Sequence, residues 1–206
     1  RDLHLSLRRQ RQMCIRDSLY PLRRYMSQPI KIMGISGSYE NDSANSRLIE
    51  LLFHRCNDLG AITYIWDNKN KPLPLVGEKG SWDNVNVKEF QEMATSVDAF
   101  VLSSPEFHGT MSGVMKNNLD WIYSKHCSGK IFGLMSTLGG QSTSNTLNHM
   151  RIVVRWIHGW AVPEQIAVPN IKTAFDESGL IIDVNINERL DKLAESIIIN
   201  TNKLRR

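Results

Sequence analysis

Cysteine is scarce and badly placed for cross-linking: Cys14, Cys56 and Cys127 are odd in number, far apart and without a CxxC pair. That excludes a disulfide framework and a zinc knuckle, and the thiols read as reduced groups of a cytoplasmic protein. The six histidines contain no HxxH or HxxxH pair, so metal catalysis finds no ligand set and no metal is expected. No apolar run approaches the roughly 18 to 20 residues that cross a bilayer, so no membrane span is expected. Basic charge is missing where a nucleic-acid surface would need it. The formal charge is +4 overall, but residues 1–28 carry +5 and the remainder −1, so no nucleic acid is expected as a partner.

What the chain does have suits one medium domain: 206 residues, 41% hydrophobic and 22% charged, can bury a substantial core. The arginine-rich first segment lacks the continuous apolar stretch of a secretory signal and only weakly suggests a transit peptide. Met26, followed by SQPIK, looks like a natural start, and QMCIRDS resembles translated sequencing-adapter read-through. Residues 1–28 are therefore read as a non-domain extension, disordered or artefactual, and residues 29–206 as the domain.

Residues 30–36 are mainly apolar, as a parallel strand covered on both faces would be. From Ser46, the apolar residues Leu48, Leu51, Leu52, Cys56 and Leu59 repeat at helical spacing until Gly60. Residues 61–67 follow as a second strand, ending at Asp67, whose carboxylate would suit a ribose. The Pro-, Gly-, Asn- and Lys-rich stretch 68–84 reads as a long exposed loop. A helix over 87–96, a strand over 99–104, a helix over 111–123 and a strand over 130–137 come next. A helix over 146–160, a strand over 164–168 and a last helix from about Asn187 complete the series. Five strands alternating with five helices imply an open α/β sandwich around a parallel sheet, without repeats. Trp121, Trp156 and Trp160 are expected in the core or in a subunit contact.

In such a sheet, ligands bind beyond the carboxyl ends of the strands, where strand order reverses. Three loops gather there: GSYENDSAN, PEFHGTMSG and STLGGQ, all rich in glycine, hydroxyl and amide groups. The first offers backbone N–H groups at a helix N-terminus with the hydroxyls of Ser36, Ser38 and Ser43 and the amide of Asn45. These suit a phosphate without a lysine, and they equally suit ordinary helix capping by Ser43. The loop is not a Walker motif, for it has no GK[ST]; nor is it GxGxxG or the GxSxG elbow of hydrolases. In the second loop Pro105 fixes φ and Gly109 permits a close turn, with Glu106, Phe107 and His108 as a wall. In the third, Gly139 and Gly140 permit backbone approach, with Ser136 and Thr137 as polar edges.

Taken together, these loops resemble the NADPH-dependent FMN reductase family, whose flavodoxin-like members include quinone, azo-dye and chromate reductases. PEFHGTMSGVMKNNLDW is similar to the family's PEYxxSxxGxLKNxxDW, and GSYENDSANSRL to its GSxRxxSxNxxL. STLGGQ and the FDESG segment match more loosely. The resemblance spans residues 30–205 and implies a flavodoxin-like three-layer α/β sandwich with a five-stranded parallel sheet. It implies FMN as cofactor, with Ser38, Ser43 and Asn45 at its phosphate. Pro105, Glu106, Phe107, His108 and Gly109 would lie beside the isoalloxazine, Phe107 standing where tyrosine is usual. Ser136, Thr137, Gly139 and Gly140 would lie at its pyrimidine end. Glu40 stands where the family usually has an arginine for the phosphate, so a charge-assisted contact is missing and a repulsive one takes its place unless the carboxylate swings out to solvent.

The resemblance further implies an NAD(P)H oxidoreductase, with NADPH or NADH as co-substrate. Hydride would pass to the flavin N5 and on to a quinone, flavin, dye or similar small-molecule acceptor. No side-chain acid or base is required, so no catalytic residue is assigned, and His108 is the one group near the open face worth testing. A homodimer or homotetramer is implied, with helix 111–123, including Trp121 and Tyr123, as the expected contact. The competing class is a flavin-binding electron carrier, or a redox-sensing interaction module, without NAD(P)H turnover. A nucleotide hydrolase lacks both its lysine and its elbow glycine.

Overall fold

The computed structural model describes residues 28–141 and 145–205. The extension over 1–28 therefore lies outside the described residues except for Gln28, whose carbonyl accepts from Arg205 Nη1 at 2.8 Å. The elements run β1 (Lys31–Ser36), α1 (Ala44–Asp58), β2 (Ile62–Ile65), α2 (Val85–Ser96), β3 (Ala99–Phe107), β4 (Thr110–Met111) and α3 (Gly113–Asp120). Then come α4 (Ser124–Cys127), β5 (Ile131–Thr137), α5 (Asn145–Trp156), β6 (Trp160–Val168) and α6 (Val184–Leu204).

Five strands form a parallel sheet in the order β2-β1-β3-β5-β6, and the two-residue β4 pairs antiparallel with the end of β3. The apolar runs of β1, β3 and β5 are buried on both faces, as strands sandwiched between helix layers must be. On one face, Leu48, Ile49, Leu52 and Phe53 of α1 meet Leu190, Leu193, Ile197 and Ile198 of α6. The other face buries Phe90 of α2, Met115 and Leu119 of α3 and Leu147, Met150 and Val154 of α5 around the stacked rings of Phe100 and Phe132. The result is the three-layer flavodoxin-like sandwich expected.

Five boundaries depart from the sequence reading, each for a local reason. The strand expected to end at Ser104 runs on to Phe107 and turns back through His108 and Gly109 into β4. Both turn residues have positive φ, 52° and 77°, as a two-residue hairpin of the primed type demands. The helix expected over 111–123 starts only after Ser112, whose Oγ accepts from Met115 N at 3.1 Å. The helix expected to reach Trp160 stops at Trp156 because His158 turns left-handed, φ 63°. This frees Trp160 to open β6, which is longer than the expected 164–168: its register jumps from Phe132↔Ala161 to Leu134↔Gln165, leaving Pro163 in a bulge. At the last helix, Asp183 Oδ1 accepts from Asn185 N at 2.7 Å and sets the start at Val184 instead of Asn187.

Candidate cofactor site

The chain leaves β1 for β2 on one side and later returns to β3 on the other, so strand order reverses between β1 and β3. The crevice at that reversal, beyond the carboxyl ends, is where ligands of open α/β sheets bind. Three loops border it: 37–43 after β1, the β3–β4 hairpin, and 138–141 after β5.

The first loop is held from below. Gly37 N–H donates to Ser103 O at 2.7 Å, and its carbonyl accepts from Ser112 Oγ at 2.7 Å. A Cβ on Gly37 would lie 2.8 Å from Ser104 Oγ and 2.9 Å from Ser112 Oγ, so only glycine lets the backbone pass this close. Ser36 is buried, its Oγ accepting from Ser46 Oγ at 3.1 Å and Ser38 N at 3.3 Å, so it supports the loop and does not line the crevice. Ser43 caps α1 by accepting from Ser46 N at 3.2 Å. Among the described residues, only Ser43 and Ser46 of segment 39–46 donate their backbone N–H within the protein. The remaining N–H groups, at the positive end of a fifteen-residue helix, are available to an anion.

Asn45 joins the three loops. Its Oδ1 accepts from Ser103 Oγ of β3 at 3.0 Å and from Thr137 Oγ1 of β5 at 3.2 Å. The side chain is thus fixed across two strands with its amine still unspent among the described residues. Ser136 and Thr137 are buried at the end of β5, whereas Gly139 and Gly140 are exposed. Their loop is pinned by Leu138 N to Val168 O at 3.0 Å and Asn170 N to Gly140 O at 2.8 Å.

In the hairpin, Pro105 continues β3 beside Thr137. Glu106 Oε2 accepts from Thr146 N at 3.0 Å and so caps the first turn of α5. Phe107 is 59% exposed at the rim and His108 is exposed beside it. His108 occupies a left-handed position that histidine tolerates better than most residues.

Of the two courses open to Glu40 it takes the outward one, and not alone: its Oε2 lies 2.7 Å from Lys69 Nζ. The hydrogen bond and charge of Glu40 raise the lysine pKa. Asp67 is spent in a turn, accepting from Lys69 N and Asn70 N at 3.1 Å each, and the Asn70 side chain foremost holds its pKa low. The ribose role considered for Asp67 thus has a local competitor.

Several residues of the site carried no signal in the sequence. Ser46, Ser103, Ser104 and Ser112 form the polar floor described above, and Asn68 reaches it from the loop after β2. The KNNLDW motif has a clear structural role. Lys116 pairs with Asp120 at 2.7 Å, Asn117 donates to the carbonyls of Leu73 and Pro74, Asn118 donates to Asn68, and Trp121 Nε1 donates to Pro74 O at 2.8 Å. The helix thereby fastens the long loop 68–84. Burial pushes the thiols of Cys56 and Cys127 up to about 12 and so disfavours their reactive thiolate form. No cluster of metal-ligating side chains occurs among the described residues.

Known proteins share the sequence pattern and the fold. The profile of the NADPH-dependent FMN reductase family matches residues 30–173. The FMN-dependent NADPH-azoreductase of Staphylococcus aureus is 33% identical over 150 residues, covering 70% of this chain and 80% of that protein. Among solved structures, FerB, a flavoenzyme NAD(P)H:(acceptor) oxidoreductase of Paracoccus denitrificans, superposes with TM-score 0.70 at 18% identity, covering 84% of this chain and 98% of its own. An NADH:FMN oxidoreductase in apo form gives TM-score 0.61 at 19% identity, covering 81% and 89%. At those identities the structures establish the fold, while profile and relative establish descent: the chain belongs to the NADPH-dependent FMN reductase family.

Proposed function

We propose that this protein is an FMN-dependent NAD(P)H oxidoreductase that reduces a small-molecule acceptor such as a quinone, a free flavin or an azo dye. The observation that carries the placement of its cofactor is the bridge made by Asn45, which ties the N-terminus of α1 to β3 and β5 over the strand-order reversal. The residues fit FMN: unspent backbone N–H groups, hydroxyls and one amide suit a phosphate, and exposed glycines with Phe107 at the rim suit a flat ring. Ser38, Ser43 and Asn45 would hold the phosphate, Pro105, Phe107, His108 and Gly109 would flank the ring, and the backbone of Gly139 and Gly140 would meet its pyrimidine end. Glu106, Ser36, Ser136 and Thr137 would serve from behind, fixing the elements that make contact. When bound, FMN supplies the redox chemistry, accepting hydride from the nicotinamide and releasing electrons to the acceptor. The protein need only hold and orient the cofactor and leave one face accessible, so no side-chain acid or base is invoked.

The working unit is residues 29–206, in the cytoplasm, as a homodimer or homotetramer; the unpaired, buried Cys56 and Cys127 support a reducing compartment. The expected contact through Trp121 does not stand, because that ring is fully buried. Exposed Trp156 and Trp160 support a contact through α5 and the start of β6. Purified protein should be yellow, or turn yellow with added FMN, and NADPH should bleach it anaerobically. A colourless protein that neither binds FMN nor oxidises NADPH would overturn the proposal.

A further inference from the structure

Beneath the first loop lies a polar chain that capping of α1 does not require. Asn68, 2% exposed, donates from Nδ2 to Ser36 O at 2.8 Å and to Ser38 O at 3.1 Å. Its Oδ1 accepts from Asn118 Nδ2 at 3.0 Å, and Asn118 is likewise 2% exposed. One amide thus spends both amine hydrogens and its oxygen, without any contact to the open side of the crevice.

The consequence follows from peptide geometry. A trans peptide directs its N–H opposite to its C=O, and no cis bond occurs among the described residues. Pulling Ser36 O toward Asn68 sends Gly37 N–H the other way, and there it finds Ser103 O at 2.7 Å. Pulling Ser38 O toward Asn68 likewise sends Tyr39 N–H away from the floor. That N–H has no acceptor within the protein among the described residues. The same brace therefore locks the 36–37 peptide onto the sheet and turns the 38–39 peptide away from the floor as a donor.

We propose that Asn68, anchored by Asn118, is a positioning residue for the cofactor phosphate: it sets the peptide planes at 36–37 and 38–39 so that the loop presents its N–H groups to that anion. The inference rests on the phosphate lying at this loop. It links two segments that are fifty residues apart in sequence and gives the second asparagine of KNNLDW a task at the cofactor.

Riboflavin, which shares the ring but lacks the phosphate, separates positioning from mere stability. Dissociation constants for FMN and riboflavin are to be measured by flavin fluorescence on Asn68→Leu, Asn118→Leu, Ser43→Ala and the unaltered protein, with apo-protein melting temperatures alongside. Asn68→Leu should weaken FMN on the order of tenfold or more, about what losing one to two hydrogen bonds implies, and leave riboflavin within about twofold. Asn118→Leu should shift FMN in the same direction by less. If Asn68→Leu fails to fold, Asn118→Leu carries the test. Equal weakening of both flavins, or no change in either, overturns the brace. If Ser43→Ala shifts the FMN-to-riboflavin ratio and the asparagine variants do not, the phosphate site stands and only the brace fails. If no variant shifts the ratio, both fall.

Discussion

At the scale of single residues, the acidic side chain at position 40 decides how strongly the first loop attracts an anion. Glu40 is paired with Lys69, but Asp42 and Asp67 also act on that lysine, so the surroundings of the loop remain acidic. An exposed pair of this kind contributes little and weakens with salt. Glu40→Arg removes one negative charge and adds a positive one beside a helix N-terminus. FMN should then bind roughly three- to tenfold more tightly at low ionic strength, with the gain shrinking as salt is added. A fluorescence titration giving an unchanged dissociation constant would place the phosphate elsewhere. Gly37 tests the same loop from beneath. The hydroxyls that a Cβ would strike are both bonded, Ser104 Oγ to Ser112 N and Ser112 Oγ to Gly37 O, so neither can yield. Gly37→Ala should cost about 1–3 kcal/mol by thermal denaturation and abolish tight FMN binding. Retention of both would show that the loop has room. The loop that carries Ser38, Ser43 and Asn45 was legible in the sequence as a candidate because it follows a strand directly and carries hydroxyl and amide groups. Asn68, Lys69, Ser103 and Ser112 were not, because sheet register and the fastening of loop 68–84 bring them in from 29 to 75 residues away.

At the scale of elements, the alternation of strands and helices was legible because periodicity reports burial, and burial here is two-layered and continuous. Three of the misplaced boundaries lie where a left-handed residue or a bulge intervenes, at His108, His158 and the Pro163 bulge, and two are set by the caps Ser112 and Asp183. A histidine with positive φ has no spacing signature, so its turn stays hidden until the packing around it is known. Another histidine gives the short α4 a pH dependence. His126 Nδ1 accepts from Tyr123 N at 2.9 Å, which requires the neutral ring. Burial, then Lys125 and Lys130, hold its pKa below the ordinary 6.5. The unfolded chain takes up the proton at the ordinary value, so this stabilisation is present above 6.5 and is lost as pH falls toward the lower folded value. His126→Asn keeps an acceptor and removes the titration. Between about pH 7.5 and about pH 5.5 its melting temperature should fall less than that of the unaltered protein. Parallel slopes would show that His126 does not titrate in this way.

At the scale of the molecule, two exposed tryptophans lie on other elements than the helix that the motif suggested. Trp121 belongs to the interior, fully buried against Trp82 and bonded to Pro74 O, and so cannot anchor a partner. Exposed instead are Ile152 at 58%, Trp156 at 76% and Trp160 at 62%. Ile152 and Trp156 are four residues apart on α5 and share one face, and Trp160 opens β6, the edge strand of the sheet. Two tryptophans left in water forgo the burial of about 150–250 Å² each that aromatic rings usually find in cores and interfaces. The sequence marked these rings as core or contact without deciding, since side-chain type alone does not tell a buried tryptophan from one that waits for a second chain. If they are the contact, light scattering at micromolar concentration should give a multiple of the 23.5 kDa chain mass. The pair Trp156→Glu and Trp160→Glu should then return a single-chain mass while the protein still binds FMN, and Tyr123→Glu should leave the assembly intact. A monomer before substitution, or an assembly that survives the two glutamates and breaks with Tyr123→Glu, would move the contact off α5 and β6.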